Sequence, residues 1–576
     1  MTIAYAEVTN RMARLSSLSI TNYRSIGPRL EIQFPDRAPL ILLGENNAGK
    51  SNIIGALQLL LGPFWPSHHE PDDNDFHRRE TGRSIEIMGR FDDADLFGHR
   101  YESVTWRYSP NDEDPIFYKG APGPYDHPYG FISGPDRDSC TCIVIEAERN
   151  LKYQLSYSSK WTFLSRLMHR FHGALRDQPD IREELERAFS QIKTSFRRLP
   201  EFQQFSQNLQ DHFTQLVGSM THRLDIDFEA YNPANFFHAL DLHASEGGQP
   251  RTIAEMGTGE QQILAMAFAH AFARAFHGGI ILVIEEPEAH LHPLAQQWLA
   301  EQLEDMCSDG LQILITTHSP AFVNVMNLNG IVVVRKEVGA SVAVQKTVDD
   351  LVAHCVATGA PAARTTAETI LPFYTSNATR TILEGFFAKA VVLVEGPTES
   401  LSLPIYLAKV GFETARDGVS IIGVQGKGNL AKWRRLFTCY GIPCYIIFDN
   451  DPDDDGPGSK RRDALSAVGI HGNDAEAFIG TDDWLIEAAT AVFGTDFETS
   501  LRAAFPSYTQ LETQAAEEGV DSKPFKARYV AENLEVNASA GWERIRQLAA
   551  RIRALLPAAL PNDEPELQLP DDDIPF

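Results

Sequence analysis

The segment ILLGENNAGKSNIIGALQLLL, Ile41 to Leu61, constrains the fold more than any other stretch of the chain. A short apolar run, a Gly-x-x-x-x-Gly-Lys-Ser turn and an apolar-rich helical stretch follow one another directly, which is the strand, loop and helix that a phosphate-binding loop requires. Gly44 and Gly49 permit a tight turn whose successive N–H groups, those of Asn46 and Asn47 among them, face a phosphate, while the helix N-terminus adds its positive end. Lys50 is expected at the β- and γ-phosphates of ATP and Ser51 at Mg²⁺.

The loop's partners stand more than two hundred residues downstream. GGIILVIEEPEAHLHP gives a buried strand, Ile280 to Ile284, ending in Glu285 and Glu286. Carboxylates at such an exit lie beside the phosphates, Glu285 in the Mg²⁺ shell and Glu286 as the base that polarises water. A second apolar strand, LQILITTHSP, ends in His318, expected to sense the γ-phosphate. Between lies EMGTGEQQILAMAFAHAFARA, a glycine-containing turn before an amphipathic helix.

This order resembles ABC-type ATPase heads of the SMC/RecF kind. Met256 to Gln261 is similar to their signature motif, with Gly257 or Thr258 where serine is usual and Glu260 where glutamine is common. In such heads the signature of one subunit closes on the ATP of another, so the resemblance implies a dimer and assigns Gly257, Gly259 and Glu260 to nucleotide. IEAER, Ile145 to Arg149, is the one candidate for the lobe-connecting segment.

Between the two head parts, Ile181, Leu185, Phe189, Ile192, Phe196 and Leu199 recur every three or four residues, and Phe202, Phe205, Leu209, Phe213 and Leu216 continue the pattern beyond Pro200. The spacing predicts a helical insertion from about Lys160 to Val217, either a subdomain packed on its own head or a dimerisation arm.

A second acid-bearing machine follows. KAVVLVEGPTES is a buried strand ending in Glu395, then Gly396, Pro397 early in a helix and Glu399 four residues on, placed to face one metal across the turn. GVQGKGN and CYIIFDNDPDDDG come next, the latter a strand delivering Asp449 and Asp451 with period two, so that both point one way. Hard oxygen ligands without His or Cys suit Mg²⁺ or Mn²⁺. Asp451, Asp453, Asp455 and Gly456 also match the start of an EF-hand loop, but Arg462 stands where its bidentate Glu belongs and a strand precedes it, so Asp453 to Asp455 are expected as a solvated loop.

Glu at one strand end, a glycine-rich turn and Asp-x-Asp at a later strand end resemble a Toprim domain. With NYRSI at Asn22 to Ile26, the phosphate loop, EEPEAHLHP, TTHSP, VEGPTE, GKGN and DND in this order, the whole chain resembles the overcoming-lysogenization-defect (OLD) family of nucleases. The resemblance implies two-metal cleavage or nicking of DNA, that of phage or other foreign origin, with Glu395, Glu399, Asp449 and Asp451 as ligands. It also implies a further carboxylate, for which Glu487 is the choice, and a C-terminal lysine, Lys523 with Lys526 as the alternative, whose cation balances phosphorane charge. The expected fold is α/β: head, 1–157; helical insertion, 158–235; second head part, 236–345; linker, 346–385; Toprim domain, 386–560; acidic tail, 561–576.

A length of 576 residues fits several domains. The six cysteines show neither zinc spacing nor a disulfide framework, which points to a reducing cytoplasm, and no leader or spanning run is visible. A net charge of −27 runs against tight passive binding to bulk DNA. Lys427, Lys432, Arg434, Arg435, Lys460, Arg461 and Arg462 are the expected local counterweight. The last sixteen residues, PNDEPELQLPDDDIPF, carry six acids and no Lys or Arg, and read as disordered. DDDIPF resembles the acidic tip of bacterial single-stranded-DNA-binding protein, so Ile574, Pro575 and Phe576 are either a partner-recruiting peptide, an internal cover for a basic groove, or a plain acidic tail. Against the nuclease reading stand a repair ATPase whose Toprim module binds DNA without cutting, and a non-catalytic regulator that leaves both carboxylate clusters unexplained. No segment resembles the tyrosine-bearing domain that a topoisomerase needs.

Overall fold

The computed structural model describes residues 14–62, 64–92, 102–110, 115–120, 128–132, 136, 140–146, 178–200, 279–289, 291–451 and 455–557, with short pieces between 203 and 267. The chain divides into two compact units, Met1–Val144 with Gly279–Phe576, and Ile145–Gly278. The inserted unit is therefore wider than the expected 158–235, and it contains the signature segment.

Strands β1 (Arg14–Thr21) and β2 (Leu30–Gln33) precede β3 (Leu40–Leu43), which ends at the phosphate loop. After the helix Lys50–Leu61 come β4 (Ile85–Asp92), β5 (Ser103–Tyr108), β6 (Ile116–Gly120), β7 (Pro128–Phe131) and β8 (Cys140–Ile145). Strands β2-β1-β4-β5-β6-β7 form an antiparallel sheet that the glycine-rich loop did not foretell. Its inner residues, among them Leu18, Ile20, Ile87 and Trp106, share a core with Ile53, Leu57 and Leu60 of the helix.

In the inserted unit a helix, Pro179–Phe196, and a hairpin of β9 (His243–Glu246) and β10 (Gln249–Thr252) are described. Ile181 and Leu199, two of the residues expected on the apolar stripe, are 46% and 45% exposed.

Strands β11 (Gly279–Glu285), β12 (Gln312–Thr316), β13 (Ile331–Glu337) and β14 (Ala340–Gln345) complete the nucleotide sheet, in the order β14-β13-β3-β12-β11-β8. β3, β11, β12 and β13 run parallel, and the interior positions of β3, β11 and β12 are continuously buried, as expected of strands covered on both faces. Glu285 pairs in register with Thr316, and Thr316 with Leu42. That register brings the two carboxylates, the His318 segment and the phosphate loop to one edge, the carboxyl edge where open α/β sheets bind ligands.

The segment expected as a linker is instead helical, with Val348–Ala357 and Ala367–Asn377. It is welded to the next stretch of chain: the Tyr374 hydroxyl donates to Lys432 O at 2.8 Å, and His354 Nε2 lies 2.9 Å from Thr438 Oγ1. Strands β15 (Ala390–Val394), β16 (Val419–Gly423), β17 (Cys444–Asp449), β18 (Leu485–Ile486) and β19 (Thr490–Phe493) then form a sheet ordered β16-β15-β17-β19-β18, parallel except for β18. One face is packed by Tyr406 of the helix Pro397–Lys409 together with Phe505, Tyr508 and Trp542 from the C-terminal segment. No helix among the described residues is long and apolar enough to cross a membrane. The acidic tail lies outside the described residues.

Candidate functional site

Two sites lie at the carboxyl edges of the two parallel sheets. At the first, Gly44 and Gly49 adopt φ of 148° and 112°, and Asn47 a φ of 65°. A Cβ at Gly44 would overlap the Val334 carbonyl oxygen, and one at Gly49 the Ser341 hydroxyl, so both positions need glycine for space as well as for φ. Lys50 is buried and donates to Gly44 O at 2.6 Å and Glu45 O at 3.1 Å. Burial lowers its pKa against the upward pull of Glu286, Glu288 and Glu45. Ser51 is exposed at the helix start, and Asn46 is exposed in the loop.

His318 stands across from Lys50, Nε2 to Nζ 3.5 Å, and 4.0 Å from Glu286 Oε1. Burial, then the Lys50 charge, hold its pKa below the usual histidine value, so it is neutral near pH 7. Glu286 turns off its strand at a φ of 46°, a left-handed conformation costing about 1–2 kcal/mol in a non-glycine residue. Its N–H donates to Thr316 O at 2.9 Å, which fixes that turn. Glu288 escaped the sequence reading. Its carboxylate accepts from His318 N at 2.6 Å and from the Thr317 hydroxyl at 2.8 Å, and so fastens the histidine strand to the glutamate strand. The signal was its place in EEPEAHLHP, two residues past Glu286. Of the signature residues, Gly257 is exposed and Gly259 half-exposed in the inserted unit, while Glu260 lies outside the described residues.

At the second site β15 delivers Glu395, whose Oε1 accepts from Asp449 N at 2.8 Å and lies 3.5 Å from Lys427 Nζ. Lys427 is almost wholly buried, its side chain 1% exposed, and comes from the GVQGKGN turn, where Gly426 N donates to Glu395 O at 2.8 Å. Glu399, in the first turn of the helix Pro397–Lys409, is buried and accepts from Gly396 N at 3.1 Å. Its pKa is raised, first by burial and also by the charge of Glu498. Asp449 is pushed well above the carboxylate range by burial and then by Glu395 and Glu399, although Phe497 N–H and Lys427 favour its ionised form.

The contact with Phe497 brings the helix Phe497–Ala504 onto Asp449, and with it Glu498, which the sequence reading missed. Glu498 is buried, its Oε1 has no hydrogen-bond partner, and its Oε2 is 3.0 Å from Lys523 Nζ. Burial alone would lower the pKa of Lys523, but Glu498, Asp496 and Asp449 raise it. Glu487, the residue expected in this role, is exposed in the turn entering β19, at the amino end of a strand whose other end, Phe493, pairs with Asp449. A carboxylate there is at the wrong edge of the sheet. The missed signal was TAVFGTDFE, an apolar strand closely followed by acids, the same pattern as VVLVEG.

Two further expectations need correction. β17 ends at Asp449, so Asp451 lies beyond the strand and the period of two does not orient it; Asn450 turns inward and donates to Thr481 O at 3.1 Å. Asp455 is not solvated but buried, accepting from Arg461 N at 3.0 Å beside the Arg461 guanidinium. Arg461 is thereby spent on holding this loop. Arg435 is likewise buried against Asp463, and Arg462 pairs with Glu476, so few of the seven expected cations face outward for a phosphate backbone.

The donor set fits hard divalent cations. Glu395, Glu399, Asp449 and Glu498 interact across one edge, two with raised pKa and one with an orphaned buried oxygen, and all offer oxygen. Among the described residues no three carboxylates, histidines or cysteines already form a cage. The reason is local: Asp449 N and Lys427 hold Glu395, Gly396 N holds Glu399, and Lys523 holds Glu498.

Residues 40–324 match the family described as AAA domain, putative AbiEii toxin, Type IV TA system. Residues 386–451 match that described as Overcoming lysogenization defect protein-like, TOPRIM domain. The chain is 25% identical over 471 residues to an OLD nuclease of Thermus scotoductus, covering 78% of this chain and 84% of that one. It is 23% identical over 486 residues to the Old nuclease of Escherichia phage P2, covering 76% and 77%. To the endonuclease GajA of Bacillus cereus it is 21% identical over 465 residues, covering 76% and 75%.

Proposed function

Since the chain belongs to the overcoming-lysogenization-defect (OLD) family, with an ATPase domain followed by a Toprim domain, we propose that it is an ATP-regulated, divalent-metal-dependent DNA endonuclease or nickase that acts as a homodimer against phage or other foreign DNA. The observation that carries the reading is the convergence of Glu395, Glu399, Asp449 and Glu498 with Lys427 and Lys523 at one sheet edge. Metal ions bound by these carboxylates, with Asp451 at the rim, supply activation of the attacking water and neutralisation of the leaving oxygen. Mg²⁺ and Mn²⁺ are the ions such ligands suit.

The chain's own groups do the rest. Lys427 holds Glu395 in place from beneath. Lys523, 67% exposed and tethered by Glu498, offers its ammonium to a scissile phosphate entering from solvent. In the head, Lys50, now donating to the carbonyls of Gly44 and Glu45, would turn its ammonium to the phosphates of bound ATP, Ser51 and Glu285 would hold Mg²⁺, Glu286 would orient water and neutral His318 would read the γ-phosphate. Gly257, Gly259 and Glu260 serve the partner's nucleotide.

The test is conversion of supercoiled plasmid to nicked and linear DNA with Mg²⁺ or Mn²⁺, with and without ATP, by the wild type and by Asp449→Ala. Metal-dependent cutting lost in the variant is expected. Equal cutting by the variant, or none by either protein under any metal or nucleotide condition, overturns the nuclease and leaves the DNA-binding ATPase.

A further inference from the structure

Away from both carboxyl edges, the helices Val348–Ala357 and Ala367–Asn377 and the turn between them close over the helices Leu430–Cys439, Ser459–Ala467 and Gly472–Ile479. They line an open cavity of about 700 Å³, within the range of small-molecule sites. Four cations, Arg364, Lys432, Arg435 and Arg462, line it against two carboxylates, Asp463 and Glu476. In a chain of net charge −27 a positive concavity runs against the overall balance.

The carboxylates are already committed. Arg435 Nη2 lies 2.7 Å from Asp463 Oδ1, and Arg462 holds Glu476 through two bonds of 2.8 and 3.0 Å. Lys432 and Arg364 therefore remain, neither paired with a carboxylate at ion-pair distance among the described residues. The Lys432 ammonium sits 4.0 Å from the centre of the Phe373 ring, half-buried, and its pKa is lowered by that burial. A half-buried ammonium seated over a ring, with Asp463 acting on it at longer range and no carboxylate at ion-pair distance among the described residues, is costly unless an anion joins it directly. Ile370, Phe373, Ile470 and Ala475 supply an apolar wall beside it.

We propose that this cavity is a ligand site separate from both the ATPase and the carboxylate site, and that it takes a mononucleotide-sized compound carrying a phosphomonoester and a ring. Two unpaired cations match the roughly two negative charges of a phosphomonoester near neutral pH. The apolar wall takes the ring, which neither a bare anion nor an uncharged hydrophobe would use together with the cations.

The experiment is equilibrium dialysis of labelled dTMP against the full chain saturated with ATPγS and Mg²⁺, so that the head is filled. One equivalent per chain is expected for the wild type, about tenfold weaker binding or worse for Lys432→Gln, and a weaker, competing affinity for inorganic phosphate. Circular dichroism of Lys432→Gln confirms that it is folded, and Arg364→Gln, at an exposed position, repeats the test without touching the packing. Absence of dTMP binding at millimolar concentration overturns the proposal. So does binding that both variants leave unchanged, or equal affinity for dTMP and inorganic phosphate.

Discussion

Replacing Lys523 by methionine separates its electrostatic work from its packing. The substitution keeps the length of the side chain and leaves Glu498 buried, 5% exposed, with neither carboxylate oxygen facing a cation. At the observed 3.0 Å, unit charges attract by about 5.5 kcal/mol at an effective dielectric near 20 and by about 1.4 kcal/mol in water. Because the lysine is 67% exposed, solvent screens the pair toward the lower figure, and a net loss of about 1–2 kcal/mol follows. The double variant Lys523→Met with Glu498→Gln removes the orphaned charge and should regain most of that stability in urea unfolding. Plasmid cleavage should stay at least about 100-fold down in both proteins, because each lacks the ammonium proposed to meet the phosphate and the double variant also loses one carboxylate of the proposed metal cluster. Glu487→Ala, at the other end of the sheet, serves as the control and should cut normally. If the double variant were as unstable as the single one, the ion pair would not be what Lys523 contributes to the fold. If it cut DNA normally, Lys523 would have no part in the chemistry.

Asp449 gives a dependence on pH. Its folded pKa is raised, so the folded state binds protons that the unfolded state has already lost, and stability falls as pH rises from about 4 toward the folded value. Urea midpoints measured with EDTA across that range should decline more steeply for the wild type than for Asp449→Asn, and Mg²⁺ should flatten the wild-type slope; coincident slopes would count against a charged, metal-seeking cluster. In the head, Glu286→Gln should reduce ATP turnover by about 100-fold while ATP still binds, as measured by phosphate release and nucleotide retention. Turnover left intact would remove Glu286 from the role of base.

Both carboxyl edges were legible in the sequence wherever a residue lies on a strand end or within two residues of it. Gly44, Glu285, Glu286, Glu395 and Asp449 are such residues, because a buried apolar run followed by a polar turn fixes which edge they occupy. Legibility stopped where placement depends on how a later helix docks. Glu498 reaches the cluster because its helix begins on Asp449, a tertiary contact with no local pattern of its own, whereas Glu487 stood in an acidic stretch that looked equivalent. The cations of residues 427–462 failed for a related reason: charge alone does not tell a solvated Arg from Arg461, which a buried Asp455 consumes. In the antiparallel sheet of β1, β2 and β4 to β7 only the β1–β4 pairing joins segments far apart in the chain, and that pairing, which carries the phosphate-loop helix between its strands, has no local pattern to announce it.

The two edges are joined by contacts that differ in strength, and this bounds how far ATP can influence cutting through them. Glu45, inside the phosphate loop, lies 3.2 Å from Lys389, which immediately precedes β15 and so stands six residues before Glu395. Both side chains are about half-exposed, 57% and 42%, which limits the pair to about 1 kcal/mol, or roughly a fivefold effect. Arg335 of β13 is a firmer tie, donating to Gly441 O at 2.7 Å just ahead of β17, where Gly441 holds a φ of 73° and a Cβ would overlap the guanidinium. It joins the nucleotide sheet to the segment leading into the strand that carries Asp449. Lys389→Ala should therefore change the ratio of cleavage with and without ATP by no more than about fivefold, in whichever direction ATP acts. Loss of the whole ATP response in that variant would show that the Glu45 contact is the main route, and that the geometry has been given too little weight; an unchanged ratio would leave the signature of a partner subunit as the route by which nucleotide reaches the carboxylates.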